Sequence, residues 1–367
     1  MKSNDVLGLI FSNSSEETLT ELTAHRTTAS VPIGGKYRMI DFVLSNLANS
    51  NVNNVGIVAK SGFMSLMDHI GSGSAWDLSK KRSGITILPP YAGVSFSNKV
   101  ETLYQLRGYF EDADEEYVLL AESNVIYNID FTELFYLHSV NKADITLVYK
   151  NMMVPDKFTP MTISHDNIGK VEKVLIQPNV KGKCNLYIGT LIMKKELFLE
   201  LINKAISENE LHFDRLIQKW VDDYTVFAYE CPGTCALISS MNEYYKFNMA
   251  LMNGELRQEL FQADRPILTK VRDDAPCKYG LTSSVKNSLV SQGCFIDGEV
   301  ENCVISKGVH IAKGAKVSNC IIMQDTKIGE GCTLNYLIID KDVTISPNIS
   351  MAGVDSYPIH IEKKSVI

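Results

Sequence analysis

No stretch of this chain is apolar for long enough to cross a bilayer, and its first residues, MKSNDVLGLIF, hold too short an apolar run for a secretory signal. Positive charge is scarce as well. With 36 Lys and Arg against 43 Asp and Glu the net charge is −7, which provides no basic field for nucleic acid or an anionic membrane. Cysteine pairing is also lacking. Of eight cysteines only Cys231 and Cys235 are close, as C-x3-C, and no second pair has metal-ligand spacing. Reduced thiols used as small apolar filler in a cytoplasmic protein are expected instead. What is present is an ordinary globular composition, and 367 residues are enough for two domains with a sizeable core.

The chain is organised around VLLAESNVIYNIDF, residues 118–131. Val118–Ala121 reads as a fully buried central strand that runs into the polar turn Glu122-Ser123-Asn124. In open α/β sheets ligands sit at such carboxyl ends. Residues 5–12, 52–59 and 143–149 are further strand-like runs, with helical spacing over Asp41–Asn49 and Glu101–Phe110. This alternation predicts a parallel sheet with helices on both faces. Strand signals near 169–176, 187–193 and 225–229 extend the sheet, and Met241–Leu260 reads as one long helix. The resulting division is an α/β domain over 1–260, a linker over 261–284 and a repeat domain over 285–367.

That repeat is regular. VENCVI, VSNCII and LNYLII begin at Val300, Val317 and Leu334, each seventeen residues after the last, and VKNSLV at Val285 is an earlier copy. Aliphatics recur about every six residues at Ile305, Ile311, Val317, Ile322, Ile328 and Leu334. A six-residue period fits neither an α-helix nor a lone strand. It predicts a parallel β-helix of three short strands per coil, each sending one aliphatic inward. Cys303 and Cys320 then stack on adjacent coils, and the lone His310 is a solvated coil position rather than an acyltransferase base.

The segments VPIGGKYRMIDFVLSNLANS (31–50), HIGSGSAWDL (69–78), GITILPP (84–90) and NSLVSQGCFIDGEVENCVI (287–305) resemble the bacterial ADP-glucose pyrophosphorylase (glucose-1-phosphate adenylyltransferase) family. The resemblance implies a Rossmann-like, mixed and mainly parallel nucleotidyltransferase-like sheet followed by a left-handed β-helix. It also implies transfer of an adenylyl group from ATP to glucose 1-phosphate. That reaction needs a glycine-rich loop for the phosphates, cations to neutralise them, and two carboxylates for Mg²⁺.

This chain departs from the family pattern at each of these. The G-G-x-G-x-R loop is replaced by Asn13-Ser14-Ser15-Glu16-Glu17-Thr18, whose two acids repel phosphate. A phosphate-contacting lysine becomes Thr28, and the metal-binding aspartates become Asn124 and Leu237. The G-T-A-D-A loop becomes Asn98-Lys99-Val100-Glu101-Thr102, and E-K-P becomes Ile176-Gln177-Pro178. No catalytic residue and no metal site are therefore expected, and Asn124, Leu237 and Thr28 are vestigial positions. The implied role is that of the family's GlgD-type regulatory subunit, in glycogen synthesis. Its partner would be a catalytic chain, which alone needs Mg²⁺, in a hetero-oligomer such as a tetramer; a homodimer or homotetramer is the form expected alone. An active nucleotidyltransferase with atypical metal ligands, and a sugar-phosphate or nucleotide sensor, are the alternatives. Arg26, Lys36 and Arg38, the last two beside Gly34-Gly35, are candidate anion or effector contacts. A tight turn with two solvated cations is the plainer reading of the latter pair. Trp76 is read as a loop anchor and Asp130 as ordering the turn after its strand.

Overall fold

The computed structural model describes residues 1–13, 19–79, 83–89, 98–156, 158–271 and 273–367. The sheet runs in the order Ile85–Leu88, Asn54–Val58, Val6–Phe11, Tyr117–Glu122, all parallel, and Lys183–Lys194 then adds antiparallel to Tyr117–Glu122. Lys183–Lys194 also pairs antiparallel with Ile145–Met153, beside which Val226–Glu230 lies parallel. Met161–His165 and Val171–Ile176 form an antiparallel flap. The sheet is mixed. Its central strands are buried on both faces: Val6 and Ile10 join one apolar cluster, Leu7 and Leu9 the other, which is why they read as unbroken apolar runs.

The segment expected as one helix is two, Met241–Ala250 and Gly254–Leu260. Asn253 breaks it: the residue is extended, with ψ 125°, and its side chain accepts from Glu255 N at 2.8 Å, restarting the helix as an N-cap. Among the described residues no helix is long and apolar enough to cross a membrane.

Residues after 260 hug the α/β domain. Asn128 Nδ2 donates to Leu260 O and Arg265 O at 2.8 Å, and Leu268 N donates to Ser45 Oγ at 2.7 Å. The β-helix begins before 285, because Lys278–Tyr279 already pairs with Phe295–Ile296. Both residues of that first strand are exposed, so it carries no inward aliphatic for the period to reveal. With that strand included, the repeats form three five-stranded parallel sheets. Ile305, Ile311, Val317, Ile322, Ile328 and Leu334 are all buried in their common interior. Each such side chain contributes roughly 1.5–3 kcal/mol. The coil corners take left-handed residues, and at one of them these are Asn287, Asn302 and Asn319 at φ 41°, 52° and 51°, then Tyr336 at 52°. The asparagine amides form a ladder, Asn287 to Asn302 at 2.7 Å and Asn302 to Asn319 at 3.3 Å. Cys303 and Cys320 stack, Cys320 N donating to Cys303 Sγ at 3.5 Å. His310 is exposed and stacks on Phe295.

The two domains share a core. Val304, Ile321, Met323 and Ile338 of the β-helix pack with Val31, Ile33, Phe42, Tyr244 and Tyr245. Tyr245 OH donates to Asn319 O at 2.9 Å across the junction.

Candidate functional site

Among the described residues, two clefts stand out for the charged side chains that line them. The first lies at the carboxyl ends of the central strands, with a mouth of about 700 Å³ lined by Phe11, Asn13, Lys60, Lys99, Asp214 and Arg215, among others. A smaller recess of about 80 Å³ is lined by Glu122, Asn124, Gly189, Asp214 and Leu237. The positions expected to be vestigial metal sites, Asn124 and Leu237, therefore come together. Cys235–Leu237 pairs antiparallel with Val125–Tyr127, Ile238 N donates to Asn124 O at 2.9 Å, and Asn124 Nδ2 donates to Ile238 O at 3.4 Å. Thr28 is buried in the Thr28–Ser30 turn and is not among the residues lining this cleft. Residues 14–18, the replaced glycine-rich loop, lie outside the described residues.

The recess does not suit Mg²⁺, a hard cation that wants charged oxygens in octahedral array. Leu237 offers methyl groups, the Asn124 amide is turned to a backbone carbonyl, and the Glu122 carboxylate is paired with the Lys99 ammonium. Asp214 alone is left. Among the described residues no group of three or more His, Cys, Asp or Glu is arranged to hold a metal ion.

The second cleft, about 280 Å³, lies at the domain junction. Lys36, Arg38, Lys270, Lys307 and Lys341 line it with Asp68 and His69. Gly34 and Gly35, at φ 60° and 74°, form the turn between Pro32–Ile33 and Tyr37–Arg38 that brings in Lys36 and Arg38. A Cβ on Gly35 would lie 3.0 Å from Ile305 O, so this glycine lets the turn dock on the β-helix. Arg38 Nη1 donates to Ser65 O at 2.6 Å and to Ser65 Oγ at 2.9 Å. Burial, with Arg26 nearby and despite Asp41, pushes its guanidinium down to about 10. Burial first, then Arg38 and Arg26, brings the Lys341 ammonium down to about 7. His69, whose pKa burial lowers, bonds through Nε2 to the fully buried Asp41 at 2.5 Å.

Arg26 is corrected. Expected as a ligand contact, it is 4% exposed, and its Nη2 donates to both oxygens of Asp340 at 2.7 Å. It is a buried cross-domain ion pair. Trp76 is buried edge-on to His69, and Asp130 caps the Phe131–Val140 helix, accepting from Thr132 N at 2.9 Å. Sequence reasoning passes over Lys270, Lys307 and Lys341. No motif marks them, because they face Lys36 and Arg38 only once the domains have docked.

Residues 7–234 match the nucleotidyl transferase family model, and residues 275–358 match that of the GlmU-like C-terminal hexapeptide. The chain is 33% identical over 320 residues to the glycogen biosynthesis protein GlgD of Bacillus subtilis (strain 168), covering 86% of this chain and 84% of that one. It is 33% identical over 318 residues to the GlgD of Geobacillus stearothermophilus, covering 86% and 83%. The chain thus belongs to the nucleotidyl transferase family and, within it, to the GlgD-type group of ADP-glucose pyrophosphorylase-like proteins.

Proposed function

We propose that this chain is a non-catalytic regulatory subunit of ADP-glucose pyrophosphorylase in glycogen biosynthesis. The observation that carries this reading is the bonding of Asn124 to Ile238 beside Leu237, where two acidic oxygens would be needed to bridge ATP and glucose 1-phosphate through Mg²⁺. The relatives named for glycogen biosynthesis support the pathway. The chain acts by association: contacts with a catalytic partner in a cytoplasmic hetero-oligomer favour that partner's competent state, a coupling free energy between two proteins. Mg²⁺ belongs to the partner.

Purified alone with ATP, Mg²⁺ and glucose 1-phosphate, the chain releases no pyrophosphate above background, and mixed with the catalytic chain it co-purifies and alters that chain's rate. Steady turnover alone would establish instead an active enzyme with atypical ligands. Failure both to co-purify and to change the rate would remove the regulatory role.

The domain-junction cleft is the place for an anionic effector, a sugar phosphate or nucleotide, held by Lys36, Arg38 and Lys341. The sign of its pH dependence follows from Lys341. Protonated below about 7, that amine attracts an anion; above about 7 it is neutral. Calorimetry with a sugar phosphate should show binding weaken by about tenfold from pH 6 to pH 8.5, the loss of one close charge pair. Lys341→Met should bind weakly with a flatter profile, and equal slopes in the two proteins would exclude Lys341 from the site.

A further inference from the structure

The strand-end cleft holds a cation of its own. Lys99 opens the Lys99–Gln105 helix, and its ammonium is paired with Glu122 Oε1, the two side chains being 20% and 12% exposed. The same ammonium lies 4.4 Å from the Phe11 ring centroid and 5.0 Å from that of Phe213. Phe11 and Glu122 are register partners at the tips of adjacent central strands. Phe213 begins the Phe213–Asp223 helix, which packs on the flap strand Val171–Ile176 and forms the opposite wall. One charge therefore touches the strand tips, the Lys99–Gln105 helix and the far wall. Glu122 can point there because Gly189 has no side chain: a Cβ on it would sit 2.3 Å from Glu122 Cγ. Asn124 and Leu237 line the same recess.

We infer that Lys99 is a built-in counter-ion that ties the walls of the old nucleotide cleft together without a ligand and neutralises the carboxylate best placed to recruit a metal. A half-buried ammonium that has lost most of its water is stabilised by pairing, and here a carboxylate and two aromatic faces supply it. A dissociable metal–nucleotide complex arriving at these strand tips meets an ammonium and a carboxylate already paired with each other, so that neither is open to phosphate or metal, and a wall already in place. This goes beyond the regulatory reading, and its readout requires no partner chain, so the two stand or fall separately.

The test is hydrogen exchange on the full chain. In Lys99→Gln, amides of residues 98–105 and 213–220 should exchange about tenfold faster or more, with the β-helix coils unchanged. Lys99→Arg should match the wild type. Added Mg²⁺ and ATP should leave wild-type exchange in both segments unaltered. Unchanged exchange in Lys99→Gln, or wild-type protection by Mg²⁺ and ATP, would overturn the inference. If Lys99→Gln loosens the β-helix as well, Glu122→Gln, which keeps the shape and removes only the charge, decides: local loosening supports the lock and none overturns it.

Discussion

Arg26→Met is expected to lower stability by about 3–5 kcal/mol, because it leaves the Asp340 carboxylate buried with its charge uncompensated. Both side chains of the pair are 3% exposed, and both carboxylate oxygens accept from the one guanidinium nitrogen Nη2. Water therefore screens little of the interaction, unlike a surface pair. Replacing both partners at once, as Arg26→Met with Asp340→Leu, should recover most of the loss, since what is costly is the orphaned charge rather than the missing attraction. Urea titration followed at both domains would show this. A loss under about 1 kcal/mol for the single variant would mean that the pair is solvated. Because the two residues lie on different domains, the single variant should also loosen the junction cleft that Lys36, Arg38 and Lys341 line.

Gly189→Ala is the second large effect, an expected loss of about 2–4 kcal/mol from left-handed strain and overpacking together. Gly189 sits at φ 75° in the irregular pairing of Lys183–Lys194 with Ile145–Met153. An alanine methyl there would require Glu122 to move away from Lys99. The loss should therefore fall sharply if Glu122 is also changed to Ala, which a double-mutant cycle by thermal or urea unfolding measures. Purely additive losses would show that the backbone, not the Glu122 contact, requires the glycine.

Much of the architecture is legible without coordinates. The spacing of Val300, Val317 and Leu334 announces coils whose aliphatics are buried as expected, because a six-residue period has only one way to bury its apolar side. Val118–Ala121 reads as a central strand because apolarity on both faces needs cover on both. The Asn253 break is harder to see, since a three-residue interruption leaves the surrounding helical pattern intact. The first coil is invisible for a related reason: Lys278 and Tyr279 are both exposed and send no aliphatic inward.

The site divides in the same way. Residue types at Asn124 and Leu237 already exclude acidic metal ligands, since an amide and an alkyl group carry no charge in any conformation. Their meeting in one recess, the capture of Glu122 by Lys99, the withdrawal of Arg26 into a pair with Asp340 and the gathering of Lys270, Lys307 and Lys341 were decided by the tertiary structure. The physical reason is range: periodicity and composition act within a segment, whereas a charge takes its meaning from whichever distant charge folding sets a few ångströms away.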